Sequence, residues 1–203
     1  MLAGIAIVTY ILLVHAFRSL LLPLKALLLN VLSVAASYGV LVLVWQYGWG
    51  SNLIWGIPAT GSITEWVPLM TFAFLFGLSM DYEVFIIHRM REEYDRTQDT
   101  DGAIVRGLAH TGKLVTCAAL ILFLAFVAMA STPATEIKIM ATGLAAGIII
   151  DATIIRTLLV PALTSLMGHW NWWLPSWLGW LAPAPTGAPT GASNTPIRGE
   201  PAE

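Results

Sequence analysis

Apolar residues in this chain fall in runs of about 20, the length an α-helix needs to cross ~30 Å of hydrocarbon at 1.5 Å per residue. In lipid such a run must satisfy its own backbone, and a helix does so within a single segment. Five runs can be drawn, at 1–17, 24–46, 66–87, 112–130 and 137–160, each bounded by charges, Pro or Gly. Composition agrees. Of the 203 residues, 57% are hydrophobic and 11% charged, with a mean hydropathy of +0.76, whereas soluble domains carry roughly 25% charged residues. A soluble globular enzyme is excluded, and an all-α, polytopic transmembrane helix bundle with five spanning helices is expected.

The connections set an orientation. Residues 18–25 hold Arg18 and Lys25, 47–65 hold no Lys or Arg, 88–113 hold Arg89, Arg91, Arg96, Arg106 and Lys113, and 131–138 hold only Lys138. Cations alternate as the positive-inside rule requires, which puts 18–25 and 88–113 in the cytoplasm of a multi-pass cell-membrane protein. The amino terminus is then outside and the carboxyl terminus inside, with Arg156 near the inner surface where its side chain can snorkel. The chain enters its first apolar run at once, with no basic segment and no cleavage site before Arg18. That start reads as a helix already under way, with earlier segments before it, and not as a signal peptide.

Residues 47–65 carry Tyr47, Trp49 and Trp55 among glycines and lead to Trp66, an outer interfacial loop with its rings at headgroup depth. After Pro161, residues 168–181 hold five tryptophans, of which Trp170, Trp173, Trp177 and Trp180 share a helical face. This segment is expected to lie on the inner leaflet. From 182 to 203, Pro, Ala, Gly, Thr and Ser replace large apolar residues, as in a disordered tail. The remainder, 1–167, forms the membrane domain. A net charge of −2 and the lack of a basic, aromatic-interleaved run argue against nucleic-acid partners. The single Cys117 is expected to face the core. Neither it nor the scattered His15, His88, His110 and His169 has metal-ligand spacing, and no phosphate loop or catalytic nucleophile motif is present.

Ionisable residues inside the hydrocarbon are the main functional signal, because each costs ~2.5–3.5 kcal/mol even on a lenient insertion scale. Asp81 lies about 15 residues, or ~22 Å, into the third segment. It is flanked by Gly77, Ser79 and Tyr82. Desolvation disfavours the charged form of a carboxyl, which suits a group that takes up and releases a proton as its surroundings alternate. Glu83 projects about 200° away from Asp81 and is expected in an ion pair at the inner end, near Arg89. Asp151, at a depth comparable with Asp81, is open between a structural bond near the inner mouth and the proton path, with Ser79 a candidate for the same polar layer. Arg156 is five residues further on, a poor spacing for an intrahelical salt bridge. Gly143-x-x-x-Gly147 offers a close-packing face.

Four stretches together, Phe17-Arg18-Ser19-Leu20-Leu21-Leu22-Pro23-Leu24-Lys25-Ala26, Phe76-Gly77-Leu78-Ser79-Met80-Asp81-Tyr82-Glu83-Val84-Phe85, Arg89-Met90-Arg91-Glu92-Glu93-Tyr94 and Asp151-Ala152-Thr153-Ile154-Ile155-Arg156, resemble the MMPL family. These are large membrane lipid transporters of the resistance-nodulation-division superfamily. The resemblance covers about residues 1–167 and implies the last five helices of a two-half transporter, each half also carrying an external porter domain. It implies that Asp81 and Tyr82 match the Asp-Tyr pair of the tenth helix. That pair works with an equivalent pair on the fourth helix to carry protons and drive export of lipids or other hydrophobic molecules. The proton gradient would then be the energy source, with no cofactor. The partners would be membrane lipids, a hydrophobic substrate and the missing first half or an oligomer. Such a chain would be a fragment or split subunit, inactive alone. Two alternatives remain: a membrane scaffold or lipid-sensing module, and an intramembrane aspartyl protease using Asp81 and Asp151 as a dyad. The protease reading lacks the Gly-x-Gly-Asp pattern.

Overall fold

The computed structural model describes residues 2–17 and 19–173. It contains α1 (Leu2–Phe17), α2 (Leu21–Leu41), α3 (Ser51–Trp55), α4 (Trp66–Thr97), α5 (Thr100–Met129), α6 (Thr135–Ile150) and α7 (Val160–Met167). A π-helical turn, Val42–Gln46, continues α2, and a π-helical stretch, Asp151–Leu159, joins α6 to α7. A 3₁₀ turn, Gly168–Trp172, follows. Four helices are long and apolar enough to cross a membrane, the last running unbroken from Thr135 to Trp172, and α1 is a shorter apolar helix of 16 residues. The result is an all-α membrane bundle.

The 88–113 connection is helical instead of a loop. At ~1.5 Å per residue, α4 (32 residues) and α5 (30 residues) are each about 45 Å long or more, well beyond a ~30 Å hydrocarbon layer. No Gly or Pro interrupts α4 after Gly77, and Arg91 pairs with Asp95 at 3.0 Å. The reversal needs only Gln98 in the left-handed conformation and Asp99, whose carboxylate caps α5 by accepting from the Gly102 N–H at 3.1 Å. Arg106 reaches back to Glu93 at 3.4 Å. This hairpin end lies opposite the loop end, where Trp45 is fully buried and stacked on Trp55 at 5.1 Å while Tyr47 and Trp49 stay exposed.

Apolar burial alone does not drive helix association in lipid, so interfaces rely on close backbones and polar bonds. Helix α2 presents Asn30, Ser33 and Ser37, all buried. Ser37 donates to the Gly143 carbonyl at 2.7 Å, and Asn30 donates to the Phe76 carbonyl at 3.3 Å. The paired glycines of α6 fit this scheme: a Cβ at Gly143 would lie 2.8 Å from Leu41, and one at Gly147 would collide with Leu75. Leu41 and Leu75 are themselves buried, in α2 and α4.

Three expectations need correction. Lys25 is not a cation of a connecting loop: α2 begins at Leu21, and Lys25 is buried inside it. Cys117 is exposed, because α5 turns Val115 and Ala119 inward and leaves the residue between them about 200° away. Within the Trp-rich segment the anchor is Trp172, which is outside the expected face. It is buried and stacks on Tyr94 at 4.2 Å, its ring N–H donates to Thr100, and Trp170 and Trp173 remain exposed. Arg18, Trp177, Trp180 and the tail from 182 lie outside the described residues. Substituting Gly147→Val should destabilise the bundle by ~1–3 kcal/mol, as overpacking of a filled interface does. Thermal melts in detergent should show a lowered midpoint, whereas Gly4→Val, with open space around it, should not.

Candidate functional site

The chemistry collects where α4 meets the π-helical stretch after α6. In an α-helix, residues five apart sit roughly 140° apart around the axis. A π-helix closes its hydrogen bonds between i and i+5, so Asp151 and Arg156 come onto one face. Arg156 Nη2 lies 2.7 Å from Asp151 Oδ2, and its Nε donates to the same oxygen at 2.8 Å. Both side chains are buried. The unfavourable five-residue spacing is thus overcome by the backbone, and the guanidinium turns into the bundle instead of snorkelling to a surface.

Helix α4 completes the arrangement. Ser79 Oγ donates to Asp151 at 3.1 Å, and Arg156 Nη2 donates to the Ser79 carbonyl at 2.9 Å. The Arg156 guanidinium also sits over the Tyr82 ring at 5.1 Å, a cation–π arrangement. Both Asp151 oxygens are therefore occupied. A cavity of about 20 Å³ lies between Ser79, Tyr82, Asp151 and Arg156 and the α5 residues Val115 and Ala119, room for about one water.

Asp81 stands apart. It is two residues from Ser79, so it points to the other side of α4 and is exposed, without an ion pair or hydrogen bond among the described residues. Ala73, Gly77 and Asp81 recur every four residues on one exposed stripe of α4, and nothing stands within 4 Å of where a Gly77 Cβ would be. Tyr82 bridges the angle between the two faces. Asp151 and Ser79 meet in one polar layer, whereas Asp81 faces away from it, and the two carboxyls cannot share a proton as a dyad.

The inner-end pairing expected among Glu83, Arg89 and Arg156 is also replaced. Arg89 pairs with Glu92 at 2.7 Å on the surface, and Arg156 is held by Asp151. Glu83 lies one turn from Ser79 on the bundle-facing side of α4, buried, with Oε1 lacking a hydrogen-bond partner among the described residues. Sequence reasoning missed Lys25 as a site residue. Its ammonium donates to Thr164 and, at 3.5 Å, to Asn171. Asn171 in turn donates to the Thr164 carbonyl at 2.7 Å, and Ser19 donates to the Asn171 carbonyl. The available signal was apolar sequence on both sides of Lys25. Among the described residues, no group of three or more His, Cys, Asp or Glu stands together to hold a metal ion.

Removing one partner of a buried ion pair strands the other, at a cost of ~3–5 kcal/mol. Asp151→Asn should accordingly lower the thermal midpoint sharply, and Asp151→Leu combined with Arg156→Met should recover much of that loss. Additive losses in the double variant would show that the two residues do not act as a pair.

The MMPL family model matches residues 1–185. The mycolic acid-containing lipids exporter MmpL11 of Mycolicibacterium smegmatis is 39% identical over 179 residues, 88% of this chain and 19% of that protein. The heme uptake protein MmpL11 of Mycobacterium tuberculosis is 40% identical over 180 residues, 89% and 18%. The trehalose monomycolate exporter MmpL3 of Mycolicibacterium smegmatis is 39% identical over 178 residues, 85% and 17%. The chain spans about a fifth of the length of these curated relatives. With the match running through every described helix and both halves of the polar site, the chain is a multi-pass membrane protein belonging to the MMPL family.

Proposed function

We propose that this chain is the C-terminal membrane portion of an exporter of lipids or other hydrophobic molecules, driven by the proton gradient, with Asp81 and Tyr82 as its proton-handling pair. The relatives named as lipid exporters support the cargo class, although another relative is named for heme uptake. Asp81 carries the reading. An ionisable group on the outer surface of a spanning helix is costly against lipid and marks a polar pathway or a protein partner. The stripe Ala73, Gly77, Asp81 is small enough for another helix to approach closely. A first half bearing its own Asp-Tyr pair would supply that helix.

In this reading Asp81 takes a proton at the interface between the halves, and Tyr82, under the Arg156 guanidinium, links that interface to the bundle interior. The Asp151–Arg156–Ser79 cluster, with both carboxylate oxygens bonded, holds Tyr82 and α4 in place. The hairpin end faces the cytoplasm, as its five cations suggest. No cofactor and no bond-breaking step are involved, so the chain is not an enzyme.

In the assembled transporter, reconstituted in proteoliposomes with an imposed pH gradient, Asp81→Asn should abolish gradient-driven lipid export while leaving membrane insertion and yield unchanged. Undiminished export would remove the proton role from Asp81 and favour a scaffold or lipid-sensing module, in which the substitution is tolerated as long as the helices pack.

A further inference from the structure

We propose that Glu83, on the buried face of α4, is a second proton-carrying residue, and that Asp151 is not. Its purpose rests on the transporter reading; its test does not.

The two buried carboxyls of this chain are held differently. Asp151 accepts from Arg156 Nε and Nη2 and from Ser79 Oγ, so both of its oxygens are bonded. Glu83 is equally buried, yet makes no ion pair within 4 Å among the described residues, and its Oε1 has no partner. The Arg156 Nη1 atom is likewise buried without a partner. Glu83 thus keeps an acceptor, and Arg156 a donor, that the bundle itself does not satisfy.

The charged groups acting on Glu83 come from two neighbouring elements: Lys25 from α2, and Arg156 and Asp151 from the π-helical stretch. With Glu83 ionised, these four residues sum to zero charge. Taking up one proton forms a single O–H bond on Glu83 and leaves the group at +1. The Lys25 ammonium is itself held by Thr164 and Asn171.

Rotation about α4 relates Glu83 to Asp81. Asp81 faces outward, Tyr82 lies about 100° around beneath Arg156, and Glu83 lies about 200° around on the bundle side. Three consecutive residues thus carry polar groups from the outer surface of α4 to its buried face.

The test is infrared difference spectroscopy of the purified chain in lipid nanodiscs, between acid and alkaline pH, in an Asp81→Asn background. The carbonyl-stretch band of protonated, buried carboxyl should lose a component in Glu83→Gln and keep it in Asp151→Asn. If Glu83→Gln fails to fold, judged by helix content in the nanodisc, Glu83→Asp decides: the component should persist at a shifted frequency. A band unchanged in Glu83→Gln or in Glu83→Asp, or lost in Asp151→Asn alone, overturns the proposal. Because the readout is the protonation of Glu83 itself, its outcome is independent of whether Asp81→Asn abolishes export.

Discussion

The site depends on the π-helical stretch Asp151–Leu159. A helix that kept 3.6 residues per turn would place Asp151 and Arg156 on different faces, and each would need a separate partner in a medium with few to offer. Widening the turn lets the two neutralise each other, and Ser79 of α4 then bonds both Asp151 and Arg156 Nη2. The pair consequently fixes the relative rotation of α4 and the last helix. Tyr82, resting against Arg156, inherits its position from that lock.

Such a lock is expensive in isolation and inexpensive in context. Two buried charges gain little net stability over well-packed apolar side chains, but they tolerate few alternative registers. Weakly specified helix packing is a particular hazard in lipid, where one apolar surface is as good as another. The glycines at 143 and 147 serve the same end by shape: they admit Leu41 and Leu75 where a larger residue would hold α2 and α4 off. Polar bonding and close approach therefore specify a single arrangement.

Much of this was legible in the sequence. The apolar runs located the spanning helices, Gly143 and Gly147 announced a close-packed face, and Asp81, Asp151 and Ser79 were singled out as ionisable or hydroxyl groups in apolar surroundings. What was not legible depended on local backbone or on rotation. Helical periodicity of 3.6 made the spacing of Asp151 and Arg156 look unproductive, since nothing in Asp-Ala-Thr-Ile-Ile-Arg announces a wider turn. Counting Lys25 with the loop hid it, because boundaries read from charge place any cation outside the apolar layer. The hairpin between α4 and α5 was hidden by its charge, although Arg91 and Asp95 four residues apart are helical spacing. Trp172 was passed over because a face drawn at regular helical intervals omits it.

The ties around Lys25 also bear on how the chain is made. Its partners Thr164 and Asn171 lie 139 and 146 residues further along, and Ser19 bonds Asn171 across 152. A ribosome releases residues in order, so α1 and α2 are made well before Thr164 and Asn171, which receive the Lys25 ammonium. Until α7 and the turn after it arrive, that ammonium lacks the two side chains that hold it in the folded bundle. Residues made late thus complete the bonding of a cation buried in an early helix.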